Sequence, residues 1–291
     1  MALRECTRRF PVLALLLAGA CRAALPPASP QPVFFIQMSD PQFGMFTANK
    51  DFAQETINFE RAITAANRLR PAFVVVTGDL TNREGDAAQI AEYRRIASHL
   101  DRAIPLYSVA GNHDVGLPTT AANLAAYRKA YGPDWYTFER GGVYGIVLNS
   151  SLIKEPAGSP TDRGAQDAWL RETLDGAKRA GKRNVIVFQH HPWFLSMPDE
   201  KDQYFNLPDS TRRSYLDVLQ RAGVRHVFAG HYHRNAFGTD GALQMIITGP
   251  VSNPLRPDPS GIRIVVLDGE RVSHRYYALD SIPARVTTVV P

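Results

Sequence analysis

The sequence predicts an α/β fold with two packed, mixed β-sheets flanked by helices. Short apolar runs rich in β-branched residues alternate with segments of helical spacing through residues 34–229. After residue 242 the pattern changes to three further strand-like runs, and the turn Asp268-Gly269 joins two of them. Alternating βα units followed by antiparallel strands indicate two sheets packed face to face with helices on the outside.

Five of the predicted strands are followed directly by a residue type that binds metal ions. In the clearest case, the apolar residues 73–76 follow Pro71 and lead into Gly78 and Asp79. Open α/β sheets place their chemistry at the carboxyl ends of the strands, where Asp79 would lie. One such strand end would carry little weight, whereas five together favour a metal site. The strands and the residues that follow them are 34–38 with Asp40, 73–76 with Asp79, 105–110 with Asn112 and His113, 185–189 with His190, and 224–229 with His231 and His233.

Helices are predicted between the strands, because apolar residues recur there every three or four positions. Gly181 and Gly223 follow two of these segments and are typical C-terminal residues of helices. A hairpin is predicted around Gly141-Gly142, and residues 192–208 are predicted to form a long polar loop. The predicted helices are 52–69, 86–100, 119–131, 167–180 and 210–222, the hairpin strands are 135–138 and 143–148, and the final strands are 243–248, 262–267 and 271–277.

Residues 1–24 predict a secretory signal peptide rather than a part of the fold. Three arginines precede the apolar residues 10–20, a stretch too short to span the ~30 Å hydrocarbon core of a bilayer. Cys21 follows small residues, as in a bacterial lipoprotein signal, and ordinary cleavage after Ala20 or Ala23 is the alternative. We therefore expect an exported protein that is periplasmic or anchored to the membrane as a lipoprotein.

The remaining chain is predicted to be a Pro-rich tether at 25–32, one domain at 33–280 and a C-terminal tail at 281–291. Both cysteines lie within the predicted signal peptide, so the domain has no internal disulfide. The formal charge of +5 owes much to the four arginines of that leader. Without it the chain is only weakly basic, so we expect no nucleic-acid partner. A membrane contact is expected only if Cys21 carries a lipid.

The polar residues at the strand ends combine oxygen and nitrogen donors without any thiolate. This mixture suits two divalent ions better than a structural zinc site, which favours cysteine ligands. Asp79 could bridge both ions through its two oxygens, and such a pair can hold a hydroxide for in-line attack at phosphorus. His113 could then protonate the leaving oxygen, and Asp114 could orient His113. The predicted metal ligands are Asp40, Asp79, Asn112, His190, His231 and His233.

Short sequence blocks at these positions resemble, in order, the signature blocks of the calcineurin-like metallophosphoesterases. More closely, the chain resembles the calcineurin-like phosphoesterase domain-containing subfamily of CSTP-type Ser/Thr phosphatases, for example in Tyr204-Phe205-Asn206-Leu207. The resemblance extends over residues 33–280 and implies a metallophosphoesterase-like four-layer αββα sandwich. The signature blocks are Asp40-Pro41-Gln42, Gly78-Asp79-Leu80, Gly111-Asn112-His113-Asp114, Gln189-His190-His191-Pro192 and Gly230-His231-Tyr232-His233.

The resemblance implies two divalent metal ions, chosen from Mn, Fe, Zn and Mg, that share Asp79. His113 would be the general acid. Gln42 stands where most members of the superfamily have a histidine, so it would be either a weak ligand through its amide oxygen or a support for the ligands. One ion would be held by Asp40, Asp79 and His233, and the other by Asp79, Asn112, His190 and His231.

Two residues beside the predicted ligands are candidates for contacting the substrate. The guanidinium group of Arg234 could bind a phosphate, and the ring of Tyr232 could flank the esterified group. Alternatively, Arg234 is only exposed to solvent and Tyr232 only packs against its neighbours. Trp193, Tyr204 and Phe205 are further candidates for an aromatic rim, and His191 is assigned to packing.

The sequence therefore predicts a dinuclear-metal phosphoester hydrolase, and in particular a phosphomonoesterase. Its expected substrate is a phosphorylated protein or a small phosphomonoester. A phosphodiesterase acting on cyclic nucleotides or lipid headgroups is the alternative, because the same metal pair could serve it. A catalytically inactive envelope lipoprotein is the second alternative, and the nearly complete ligand set argues against it.

Overall fold

The computed structural model describes residues 1–2, 33–255 and 257–287. The predicted signal peptide beyond residue 2, with Cys21, lies outside these residues, as do the predicted tether and the last four residues of the predicted tail. Within the described part of the chain, none of the helices has the length and apolar character needed to cross a membrane.

Two mixed β-sheets form the centre of the fold, as the sequence predicts. Each sheet has a parallel core, which antiparallel strands extend at one edge of the first sheet and at both edges of the second. The first sheet has the spatial order Arg271–Ala278 (β11), Gly261–Asp268 (β10), Val33–Met38 (β1), Val74–Val76 (β2) and Leu106–Ser108 (β3). The second has the order Tyr136–Arg140 (β4), Val143–Val147 (β5), Val185–Phe188 (β6), His226–Ala229 (β7), Leu243–Ile247 (β9) and Ala236–Asp240 (β8).

Helices cover the outer face of each sheet and complete four layers. Three of them pack on the first sheet around Phe59, Tyr93 and Leu124, and two long ones pack on the second around Leu170 and Leu216. This αββα arrangement confirms the predicted fold class. The helices are Ala53–Leu69 (α1), Ala87–Ala97 (α2), Asn112–Val115 (α3), Ala121–Tyr131 (α4), Ser150–Lys154 (α5), Pro160–Arg179 (α6) and Asp209–Arg221 (α7), with a short 3₁₀ turn at Pro156–Gly158.

Aromatic side chains fill the space between the two sheets. Phe35 on β1 is fully buried and stacks on Phe73 with ring centroids 4.6 Å apart. The Phe35 ring makes edge-to-face contacts with Phe188 and Phe228 of the opposite sheet, with ring centroids 5.7 and 5.6 Å away. The neighbouring Ile36 points to the helical side instead, because successive side chains of a strand alternate between its faces. This packing holds the carboxyl ends of strands from both sheets at one edge.

Several local features differ from the sequence prediction, among them the short helices α3 and α5, which it does not include. Helix α6 begins at Pro160, seven residues before the predicted start at 167, because proline at a first helical position needs no amide hydrogen bond. Strand β8 was not predicted, since Ala236–Asp240 lacks an apolar run. It forms because β9 supplies its antiparallel partner across the turn at Gly241.

We predict that Phe35→Ala destabilises the protein by about 3–5 kcal/mol, because it leaves a cavity where the two sheets meet. Urea denaturation followed by circular dichroism measures the change. Phe237→Ala removes the same side chain from a position that is 51% exposed, and it should cost less than about 1 kcal/mol. Equal losses for the two variants would show that the inter-sheet layer is not the main aromatic core.

Candidate metal centre

Strand ends from both sheets converge on one cluster of polar side chains. Asp79 follows β2 of the first sheet, whereas His190 and His231 follow β6 and β7 of the second. One donor atom from each of these three side chains lies within 4.8 Å of the others, and all three residues are buried. The fold therefore brings together residues more than 100 positions apart, as expected where the carboxyl ends of parallel strands meet.

The two carboxylates of the centre each face a histidine. Asp79 Oδ2 lies 3.1 Å from His190 Nε2, and Asp40 Oδ1 lies 3.4 Å from His233 Nε2. His190 Nε2 is also 3.1 Å from Asn112 Oδ1. All six predicted ligands are accordingly close to at least one other, with His231 joined to Asp40 through its backbone amide at 3.2 Å.

Each of the three histidines has one ring nitrogen directed at a backbone carbonyl. A carbonyl only accepts hydrogen bonds, so that nitrogen carries the proton and the other one is free to bind a metal ion. These partners could not be predicted from the sequence, because a carbonyl oxygen belongs to every residue type. The contacts are His190 Nδ1 with Thr77 O at 2.8 Å, His231 Nε2 with Tyr204 O at 3.3 Å, and His233 Nδ1 with Asn253 O at 2.6 Å.

The backbone of the centre adopts conformations that are unusual for its residue types. Eight non-glycine residues among the described ones have positive φ angles, and five of them belong to the predicted site. L-residues rarely adopt this region, and such residues cluster at functional sites. The five are Asp40 (47°), Gln42 (39°), Asp79 (48°), His231 (66°) and His233 (53°).

Two glycines permit the close approach of these turns. A Cβ atom at Gly111 would overlap the backbone amide and the carboxylate of Asp79. A Cβ atom at Gly230 would overlap Ser39 and lie 2.6 Å from Asp40 Oδ2. Glycine is therefore required before both the Asn112 and the His231 positions by packing alone.

The charges of the centre shift its pKa values in opposite directions. Burial alone would raise the pKa of Asp79, but the positive charges of His190 and His113 lower it below its usual range. Burial disfavours the charged form of His190, yet the Asp79 carboxylate raises the pKa of this imidazole to about 9. For His231, burial and the charge of His190 lower the pKa to about 3. Carboxylates that attract this much positive charge suit a divalent cation, which requires unprotonated imidazole ligands.

His113 lies beside the carboxylates, but its ring is not oriented by Asp114. Its Nδ1 lies 2.9 Å from Asn82 O, and its amide donates to Asp79 Oδ1 at 2.9 Å. A proton on Nδ1 leaves Nε2 free to face the centre. The backbone carbonyl of Asn82 thus orients the His113 ring, a role predicted for the side chain of Asp114.

Asp114 instead ties together the two turns that carry Asp79 and Asn112. Its carboxylate accepts the amides of Leu80 at 2.9 Å, Thr81 at 3.0 Å and Gly111 at 2.9 Å. Burial and the neighbouring Asp79 charge raise the pKa of this carboxyl to about 7, although these amides favour its charged form. The expected contact with His113 is absent among the described residues because the turn amides occupy both carboxylate oxygens.

Gln42 presents its amide oxygen to the buried interior. Its Nε2 donates to Asn82 Oδ1 at 3.1 Å, and Asn82 in turn donates to Asn49 Oδ1 at 2.9 Å. Its Oε1 is buried and has no hydrogen-bond partner in the described part of the chain. The amide network therefore leaves the amide oxygen of Gln42, rather than its nitrogen, without a hydrogen-bond partner among the described residues.

The residues predicted to contact substrate lie at the side of the centre. Arg234 stacks over the ring of Tyr232 at 5.8 Å, and Tyr232 packs against Phe205 at 5.0 Å. Trp193 is fully buried in the core of the second sheet, as is usual for packing rather than for a rim. Tyr204 remains 57% exposed beside His231. His191 is fully buried, and Ser150 Oγ lies 3.0 Å from its Nδ1, which agrees with its assignment to packing.

These residues fit divalent metal ions. Asp40 Oδ1 and Gln42 Oε1 are buried oxygens without a hydrogen-bond partner among the described residues. Unpaired buried oxygens are costly unless a cation or water balances them. Together with three imidazoles that each bind a carbonyl through one nitrogen and can offer the other to an ion once it is unprotonated, they provide the oxygen and nitrogen donors that such ions favour.

A family model of the calcineurin-like phosphoesterases matches residues 35–235, which include all the predicted ligands. The chain belongs to the calcineurin-like phosphoesterase family. It is 40% identical over 267 residues to the human serine/threonine-protein phosphatase CPPED1, covering 86% of this chain and 85% of that protein. It is 36% identical over 269 residues to the zebrafish protein of the same name, covering 87% of each. This calcineurin-like phosphoesterase is accordingly a metal-dependent phosphoric ester hydrolase.

Solved structures share the fold at low sequence identity. A dimetal phosphatase from Danio rerio aligns with a TM-score of 0.62 and 16% identity, covering 86% of this chain and 97% of that one. A purple acid phosphatase from yellow lupin aligns with a TM-score of 0.64 and 13% identity, covering 86% of this chain and 52% of that one. These likenesses support the four-layer fold of the calcineurin-like phosphoesterase.

We predict that Asp79→Asn lowers metal affinity by more than roughly 100-fold. Asp79 would bind both ions, so its loss should cost more than the loss of a residue that only orients a ligand. Elemental analysis after loading with Mn²⁺ and dialysis measures the bound metal. Asp280→Asn makes the same change at an exposed position and should leave the metal content unchanged. A folded Asp79→Asn variant that retained wild-type metal content would exclude Asp79 as a ligand.

Proposed function

We propose that this calcineurin-like phosphoesterase is a dinuclear-metal phosphomonoesterase. The observation that carries the proposal is the convergence of two carboxylates, an amide and three oriented imidazoles at one edge of the two sheets. Asp40, Asp79 and His233 would hold one ion, and Asp79, Asn112, His190 and His231 the other. When bound, a metal pair supplies an activated water and positive charge for the phosphoryl oxygens.

The chain itself supplies the proton and the orientation. His113 would act as the doubly protonated imidazolium, in which Nδ1–H donates to Asn82 O at 2.9 Å and the Nε2 proton passes to the leaving oxygen. The ring then keeps its Nδ1 proton and is left neutral. Asp114 would keep Asp79 and Asn112 in register by accepting the amides of both turns. Arg234 and Tyr232 would lie beside the esterified group. Burial of the carboxylates would exclude bulk water from the reacting atoms.

A phosphomonoester is the proposed substrate class. The relatives are named as serine/threonine-protein phosphatases, which supports phosphoserine and phosphothreonine as candidate substrates. The predicted export signal favours small phosphomonoesters outside the cytoplasm, in the periplasm or at a membrane to which Cys21 anchors the chain. The neutral amide oxygen of Gln42, in place of an imidazole, favours harder ions such as Mn²⁺ or Mg²⁺. A phosphodiesterase is less well supported by these names.

We predict that the protein loaded with Mn²⁺ hydrolyses p-nitrophenyl phosphate at least ~10-fold faster than bis(p-nitrophenyl) phosphate, because the paired cationic sites favour a dianionic phosphoryl group. Release of p-nitrophenol from both esters under identical conditions measures the ratio. The metal-free protein provides the control and should be inactive on both. Preference for the diester would overturn the monoesterase proposal, and inactivity on both with metal bound would overturn the enzyme proposal.

We predict that His113→Ala slows hydrolysis of an alkyl phosphate by roughly 10²–10⁴-fold, the usual contribution of a general acid. The loss on p-nitrophenyl phosphate should be much smaller, since p-nitrophenolate leaves readily without a proton. Steady-state kinetics on phosphoserine and p-nitrophenyl phosphate provide the comparison. His99→Ala, at an exposed position, is the matched control. Similar losses on both esters would assign His113 to the support of Asp79 instead.

A further inference from the structure

Residues 192–208, between β6 and α7, form a long segment without helix or strand whose path is fixed by side chains. The carboxylate of Glu200 accepts the amide of Leu195 at 2.7 Å. Arg212, which is fully buried, donates to the carbonyl of Pro198 at 2.8 Å. Because charged side chains satisfy its backbone, this segment holds a defined position beside the metal centre.

Lys154, at the end of α5, fastens this segment to the second sheet. Its ammonium group donates to the carbonyls of Gln203 at 3.0 Å and Tyr204 at 2.8 Å, and it also donates to the carbonyl of Asn206. An ammonium group has three N–H donors, so all of them are used on this one stretch. The position of Tyr204 therefore depends on Lys154.

Tyr204 connects the segment to the metal centre. Its carbonyl accepts from His231 Nε2 at 3.3 Å, and its ring centroid lies 5.0 Å from the His231 ring. The His231 ring lies 4.9 Å from the His190 ring, and His190 Nε2 is 3.1 Å from Asn112 Oδ1. The phenol, whose O–H can donate a hydrogen bond, thus lies next to His231, a proposed ligand of the same ion as Asn112.

The neighbouring aromatic residues are less suited to such a contact. Phe205 has no hydroxyl, and Tyr232 packs edge-on against Phe205 at 5.0 Å. Tyr204, by contrast, is 57% exposed, and its ring lies beside that of His231. It therefore combines access to solvent, where a substrate enters, with proximity to the ligands.

We infer that Tyr204 is a specificity-determining residue whose hydroxyl donates a hydrogen bond to the substrate's phosphoryl group on the Asn112–His231 side of the centre. Lys154 is a positioning residue that acts through Tyr204. This inference rests on the proposed phosphomonoesterase function. A hydrogen bond from a neutral donor to a charged phosphoryl oxygen is stronger than one between neutral groups, so its loss is measurable.

The test uses the full chain loaded with Mn²⁺ and the variant Tyr204→Phe, which removes only the hydroxyl. Titration calorimetry gives the Kd of inorganic phosphate, elemental analysis gives the metal content, and kinetics give KM and kcat for p-nitrophenyl phosphate. We expect the phosphate Kd and KM to rise about 10-fold, the usual effect of losing a hydrogen bond to a charged group. Metal content should not change. Tyr144→Phe, at the opposite end of β5, should match the wild type in every measurement.

A second variant separates the positioning role from a purely structural one. Lys154→Met should also raise the phosphate Kd, because Tyr204 loses the hydrogen bond that positions it. Adding Tyr204→Phe to Lys154→Met should then raise the Kd by much less than 10-fold, since the two residues act on one contact. Full additivity of the two changes would show that Lys154 does not act through Tyr204.

The outcomes distinguish this inference from the proposed function. A phosphate Kd and KM of Tyr204→Phe within twofold of the wild type would overturn the inference while the phosphatase remained active. A wild-type protein that bound phosphate without hydrolysing the ester would contradict the proposed function alone, because the phosphate Kd would still decide the role of Tyr204. If Lys154→Met failed to fold, Tyr204→Phe would decide by itself.

Discussion

The metal centre depends on hydrogen bonds between imidazole rings and backbone carbonyls. Each such contact fixes the proton on one ring nitrogen and leaves the other available, so it determines both the tautomer and the direction of the ring. The carbonyls come from separate parts of the chain, and their positions follow the path of the backbone rather than the choice of side chain. The centre is therefore inseparable from the fold. The carbonyls that accept these hydrogen bonds belong to Thr77, Asn82, Tyr204 and Asn253.

Unfavourable backbone conformations at the centre are held by the surrounding contacts. Asp79 has a φ of 48°, which costs of order 1–3 kcal/mol for such a residue. Asp114 offsets that cost, because its carboxylate binds the amides on either side of the two turns. Gly111 allows the turns to touch where any side chain would collide. The strained backbone of Asp79, the hydrogen bonds of Asp114 and the close approach allowed by Gly111 thus place the Asp79 carboxylate where the two proposed metal sites meet.

One architecture can carry different activities. The lupin purple acid phosphatase shares this fold at 13% identity, so the fold alone does not specify a substrate. In this chain two side chains next to the ligands are held by hydrogen bonds from outside the ligand set. Gln42 is fixed by Asn82 so that its oxygen faces inward, and Tyr204 is fixed by Lys154 beside His231. Both are held by networks outside the ligand set, which is where members of one family can diverge.

The sequence by itself determined which strands end at the site and which residue types gather there, because apolar runs followed by Gly-Asp, Gly-Asn-His or Gly-His are local patterns. It also determined the two-sheet architecture, because strand and helix periodicities are local too. Only the tertiary structure decided that Asn82, rather than Asp114, orients His113, and that β8 forms on β9. Both outcomes depend on which backbone carbonyls and amides come into contact. Because the backbone carries these groups whatever the side chain, the sequence does not indicate which of them pair.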